Sequence, residues 1–329
     1  MKRRVYILLF LLITFFSISQ SSFASSSVTG STSGIDKTEN IEIGGIKQYI
    51  SIKGDDSTKP ILLFLHGGPG GSVIDQANSF TRELQKYFMV VQWDQRETNR
   101  TLRLNTSPIP VSLNVIQNDA HELIEYLLRQ FDQKKLYLAG YSWGAMLGFH
   151  IADKYPELLY AYVAISPVVN QSESEKMTLS MLKQQAEENG NEIEKQELSS
   201  VKIPFENGRQ LYYSRKWIYA SDGKPVPNSD TADMVRYFER WSQTWLPVWN
   251  EALKEDCIKD IPAINCPVYF FVGRKDHQTH FAVTEKYYQS LTATKKKLYW
   301  FEKSAHTIIN SEPALFQDII IKDILPETF

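Results

Sequence analysis

Four short apolar runs, each closed by a turn-prone or polar group, recur along one stretch of the chain. They are ILLFLH (61–66), MVVQWD (89–94), KLYLAGYS (135–142) and YAYVAIS (160–166). Between them lie amphipathic stretches. In VIQNDAHELIEYLLRQF (115–131), Ile116, Ala120, Leu123, Ile124, Leu127 and Leu128 recur at helical spacing, and AMLGFHIADKY (145–155) is similar. Strand and helix patterns in alternation predict an α/β fold: a mostly parallel sheet with helices on both faces. With 329 residues, 43% of them hydrophobic, the chain can bury the core such a sheet needs. Ahead of the first run, NIEIGGIKQYISIKG (40–54) alternates around Gly44-Gly45 and reads as a β-hairpin.

The alternation breaks after Pro167. Residues 168–261 are helical, polar and aromatic in pattern. SESE (172–175) reads as a capping box opening one helix, and ADMVRYFERWSQTWLPVW (232–249) as another, dense in tryptophan. CPVYFFVGRKD (266–276) and KLYWFEKSAH (297–306) then restore the strand pattern. The simplest organisation is one core, residues 40–167 and 262–329, interrupted by a helical cap at 168–261.

The first residues read as an export signal. MKRR is basic, Val5–Phe16 is a 12-residue apolar run too short to span a bilayer comfortably, and Ser22-Phe23-Ala24 places small residues for cleavage after Ala24. Residues 1–24 are thus expected to be a signal peptide and 25–39 a Ser/Thr/Gly-rich flexible linker, making the protein secreted or periplasmic. The plain alternative is an uncleaved anchor. A formal charge of −2, with no long basic run, gives no hint of nucleic-acid binding. Cys257 and Cys266 are the two cysteines; export would permit a disulfide, and two buried thiols are the equal alternative.

GYSWG (140–144) places Ser142 between a strand pattern and a helix pattern, with glycines two residues either side. In G-x-S-x-G the serine occupies a strained turn that lifts its hydroxyl above the sheet, and larger flanking side chains would collide with the neighbouring strand and helix. The bland alternative is a tight turn with an idle serine. A serine hydroxyl needs a base. His306 follows a strand pattern, at the same sheet edge as Ser142, whereas His121 and His150 fall on helical patterns. Asp276 closes another strand and could orient the base; an N-cap or turn role is its ordinary alternative. The order Ser142, Asp276, His306 is that expected of a triad built on such a sheet. HGGPGG (66–71) is a glycine turn whose backbone can approach a ligand closely. Gly68 is its best candidate to form an oxyanion hole with Trp143. No Gly-Lys-Ser/Thr follows it, as a phosphate-binding loop would require.

Together these pieces resemble the α/β-hydrolase superfamily. HGGPGG, QWDQR and GYSWG resemble its proline iminopeptidase branch of serine peptidases. The resemblance implies a Ser-Asp-His triad, no cofactor, a small-molecule or short-peptide substrate, no membrane partner after signal cleavage, and a cap that shapes specificity. It implies an exported serine hydrolase, with N-terminal aminopeptidase activity first, a carboxylic-ester hydrolase second, and a non-catalytic binding module as the reading from another class. Two departures stand out. The family commonly continues DQR with Gly-x-Gly-x-Ser, whereas DQRETNRT follows here, and Asp94 and Arg96 are expected to be structural. The peptidases also capture a free amine with cap glutamates, often in Trp-x-x-Trp-Glu; after Trp241 and Trp245 this chain has Leu246, and nothing assigns nearby Glu239 that task. Most cap tryptophans are expected simply to pack.

Overall fold

In the computed structural model, which describes residues 33–105, 109–223 and 232–329, the apolar runs become neighbouring strands of one sheet. The strands are β1 (Ile35–Ile43), β2 (Ile46–Gly54), β3 (Ile61–Leu65), β4 (Met89–Asp94), β5 (Leu136–Tyr141), β6 (Leu159–Ile165), β7 (Ala263–Gly273) and β8 (Thr292–Phe301). Their order is β1-β2-β4-β3-β5-β6-β7-β8. β2 runs antiparallel to β1 and β4, and all later pairings are parallel. This is the α/β-hydrolase architecture expected. The signal peptide and residues 25–32 of the linker lie outside the described residues, and residues 35–39, expected to belong to the flexible linker, instead form the first part of β1, paired with β2.

β3 and β4 are buried at every position, which is why they read as unbroken apolar runs rather than alternating ones. Alternate residues feed two cores. Leu63, Leu65, Val91, Trp93 and Leu138 pack on one face; Leu62, Phe64, Val90, Tyr137 and Ala139 pack on the other. Helix α1 (Leu113–Gln130), capped by Ser112, buries all six apolar residues of its predicted face. Helix α2 (Trp143–Lys154) follows β5 directly and lies in the first of these cores.

Between β6 and β7 the chain forms α3 (Gln171–Asn189), α4 (Glu192–Ser199), α5 (Gly208–Ser221) and α6 (Ala232–Ala252). The start of α3 corrects the capping-box expectation. Asn170 is the cap, its side chain accepting from the Glu173 amide, and the Ser172–Glu175 stretch already lies inside the helix. Asn191 and Asn207 cap α4 and α5 in the same way. Cys257 and Cys266 are free and buried. Burial pushes the Cys266 thiol up to about 12.

Candidate active site

β5 ends against the start of α2, and Ser142 is the residue between them, at φ 55° and ψ −116°. A left-handed φ is unusual for a side-chain-bearing residue and marks a strained turn. A Cβ on Gly140 would stand 2.5 Å from the Gly144 carbonyl oxygen, and one on Gly144 would overlap the Leu65 carbonyl of β3. The two glycines of GYSWG therefore answer to close backbone approach between β3, β5 and α2.

The loops after β7 and β8 deliver the other two groups. His306 Nε2 lies 3.0 Å from Ser142 Oγ, and His306 Nδ1 lies 2.9 Å from Asp276 Oδ2. All three side chains are buried. Asp276 Oδ1 accepts from the Gln278 and Thr279 amides at 2.9 and 3.0 Å, and Oδ2 accepts from Thr279 Oγ1 at 2.9 Å. Burial pushes the Asp276 carboxyl up, but the His306 ring and the Thr279 donors outweigh it and hold the group below the usual carboxylate range. Ser166 Oγ donates to the His306 carbonyl at 2.9 Å and so anchors the His306 loop to the end of β6. The arrangement can take a proton from the serine hydroxyl onto an imidazole whose other nitrogen faces a carboxylate.

The glycine turn lies alongside. A Cβ on Gly67 would come within 3.1 Å of Ser142 Cβ, and Gly68 has φ 118°. Trp143 is the first residue of α2, so its amide has no acceptor within the helix. Gln95 ties three segments together. Its amide donates to His66 Nε2 at 3.3 Å, its side-chain nitrogen donates to the His66 carbonyl at 3.1 Å, and its side-chain oxygen accepts from Trp143 Nε1 at 3.1 Å. Sequence reasoning missed this residue, although it stands in the QWDQR motif. The motif's charged residues have structural partners: Asp94 accepts from Ser72 and from the Arg100 amide, while Arg96 pairs with Asp119 at 2.9 Å and donates to the Gly44 carbonyl. Where the family commonly has its two glycines after DQR, Glu97 and Asn99 adopt φ 56° and φ 40°. The loop keeps left-handed backbone at both positions without glycine.

The cap closes over the turn through α6. Trp241 Nε1 donates to the Pro69 carbonyl at 2.9 Å, and Trp245 lies against Gly70. A cavity of about 260 Å³ opens between the turn, α5 and α6. Trp241 and Trp249 line it while also packing into the core beneath the cap. Glu239 is exposed and sits 3.6 Å from Arg209. The cap also holds a deeply buried carboxylate, Glu175, paired in two-pronged fashion with Arg215. Among the described residues, no group of three or more His, Cys, Asp or Glu side chains is gathered to hold a metal.

A family model described as "alpha/beta hydrolase fold" matches residues 60–313. The Bacillus subtilis (strain 168) protein named "Probable aminopeptidase YbaC" is 30% identical over 301 residues, 86% of this chain and 94% of that one. The Rattus norvegicus acylamino-acid-releasing enzyme is 25% identical over 81% of this chain, which spans 31% of that longer protein. The crystal structure of a Mycobacterium smegmatis proline iminopeptidase superimposes with a TM-score of 0.60 at 16% identity, over 89% of this chain and 99% of that one, a likeness of fold.

Proposed function

This chain belongs to the alpha/beta hydrolase fold family, and on that premise we propose that it is a serine hydrolase working through an acyl-enzyme on Ser142. The observation that carries the reading is the unbroken run from Ser142 Oγ through His306 to Asp276, set on a strained turn. In this mechanism His306 Nε2 takes the hydroxyl proton as Ser142 attacks the scissile carbonyl. Asp276 holds the imidazole with its proton on Nδ1 and stabilises the imidazolium. The developing oxyanion is received by the amides of Trp143 and Gly68, aided by the positive end of α2. His306 then protonates the leaving group, and a water repeats the sequence to release the acid.

The similarity to YbaC favours a peptidase acting at the amino end of short substrates. A carboxylic-ester hydrolase on the same three residues is the second reading, favoured by a cap cavity that presents no free carboxylate among its described lining residues. Ser142→Ala and His306→Ala should each lower turnover of aminoacyl anilides and short-chain esters by several orders of magnitude, about 10⁴-fold or more. A fluorophosphonate should label Ser142. Wild-type turnover in Ser142→Ala, or no labelling, would sink the hydrolase reading and revive a non-catalytic binding role. We propose export on the strength of MKRR and the Val5–Phe16 run; an N-terminus of the mature protein other than Ser25 would move or remove the cleavage site. Among the described residues, no helix is long and apolar enough to cross a membrane.

A further inference from the structure

Helix α6 crosses the site on a stripe of tryptophans. Trp241, Trp245 and Trp249 stand four residues apart, so they share one face of the helix. That face meets both halves of the proposed oxyanion hole. Trp241 Nε1 donates to the Pro69 carbonyl at 2.9 Å. A Cβ on Gly70 would stand 2.6 Å from Trp245 Nε1, so the missing side chain lets the helix come down on the turn. The Trp249 ring lies beside that of Trp143, with centroids 6.4 Å apart.

The glycine turn is held differently at its base and at its tip. At the base, the Gly71 amide donates to the Gly67 carbonyl at 3.2 Å, and Gln95 Nε2 holds the His66 carbonyl at 3.1 Å. Both fastenings belong to the core. At the tip, Gly68 and Gly70 have φ 118° and φ 82°, and glycine leaves such backbone wide freedom. Pro69 between them has no N–H, so its carbonyl is its one backbone hydrogen-bonding group. The cap takes that carbonyl. The Gly68 amide, one residue away, must stay aimed at a point about 3 Å off to receive an oxyanion.

We propose that Trp241 is a positioning residue: its indole N–H fixes the tip of the glycine turn, and with it the Gly68 amide, in the geometry that receives the oxyanion. The inference rests on the hydrolase reading above and deepens it, because the cap becomes part of the catalytic geometry. Trp241 also lines the cap cavity. A substrate group seated there meets the residue that sets the hole, so its fit is registered in turnover as well as in affinity.

The test compares Trp241→Phe, which keeps a ring and removes the donor, with Trp241→His, whose Nε2–H falls at the same place in its ring as the indole N–H. Each is assayed at about pH 8, where a free imidazole is neutral. The substrates are a p-nitrophenyl ester and the matching thionoester, in which sulfur replaces the carbonyl oxygen. A sulfur anion accepts hydrogen bonds poorly, so the oxygen-over-sulfur ratio of kcat/KM reads how well the hole is formed. Trp241→Phe should lower kcat on the ester about tenfold with KM little changed, and cut the oxygen-over-sulfur ratio severalfold. Trp241→His should recover most of both. Trp241→Met, which also lacks a donor, takes the place of Trp241→Phe should that variant fail to fold. An unchanged ratio overturns the inference even where turnover falls, since loosened cap packing alone would do that. A raised KM at unchanged kcat assigns Trp241 to substrate binding and also overturns it. Trp241→His no better than Trp241→Phe takes the role away from the N–H and overturns it as well. Fluorophosphonate labelling of Ser142 in the wild type is followed throughout, and its absence falls on the hydrolase reading itself.

Discussion

His66 is buried and hydrogen-bonded in a way that admits only its neutral form. Nδ1 lies 2.8 Å from the Gly67 carbonyl and therefore carries the proton, while Nε2 accepts from the Gln95 amide. A second proton would set N–H against N–H. Burial accordingly lowers the ring from 6.5 to about 4, the Gly67 carbonyl pulling weakly the other way. In the unfolded chain the ring protonates near 6.5, so between pH 6.5 and 4 the unfolded state binds a proton that the folded state does not. Stability from this group is complete above 6.5 and is lost as pH falls toward 4. The full gap corresponds to about 3 kcal/mol, of which about 2 kcal/mol should disappear between pH 7 and pH 5. His150, His277 and His280 are also lowered, first by burial, and act with the same sign. The assay must therefore isolate His66. Urea unfolding followed by tryptophan fluorescence should show the wild type losing about 2 kcal/mol more than His66→Gln over that interval. Gln retains an oxygen that can accept from Gln95 and has no proton to gain. Parallel pH profiles for the two proteins, or an NMR titration of His66 near 6.5, would refute the reasoning.

Two further outcomes are expected. Asp276→Asn should fold but favour the wrong His306 tautomer, lowering turnover by about 10⁴-fold; an undiminished rate in a stopped assay would transfer the orienting role to another group. Glu97→Gly should stabilise the protein by about 1 kcal/mol in urea unfolding, since Glu97 holds a left-handed backbone that glycine adopts freely; a loss of stability would show that the Glu97 side chain repays its strain through contacts.

What could be read from the sequence divides along a physical line. β3 and β4 were legible because burial on both faces writes itself as contiguous apolar letters. Ser142, Asp276 and His306 were legible as candidates because each follows a strand at the same sheet edge, and the structure brings them within hydrogen-bond reach. Asn170 was missed because Ser172 and Glu175 offered the same cap grammar two residues later, and only the backbone decides which asparagine or serine stands outside the helix. The Glu175–Arg215 pair left no local trace, and Gln95 stood within the QWDQR motif without any sign of its partners. Gln95 meets Trp143 across 48 residues and Glu175 meets Arg215 across 40, and no periodicity within either segment encodes a partner in another.

Chain order also bears on when the assembled site can exist. Ser142 precedes His306 by 164 residues, and the whole cap is made between them. His306 follows β8, the last strand of the sheet among the described residues, which lies at the sheet edge and pairs there with β7. A chain lacking β8 and the loop after it has no His306 to act on Ser142 as the base of the proposed mechanism. On that mechanism the hydroxyl stays chemically inert until β8 docks and brings His306 within reach of it. Under the proposed mechanism the order of synthesis would thus act as a safety catch, released once, when β8 joins the sheet.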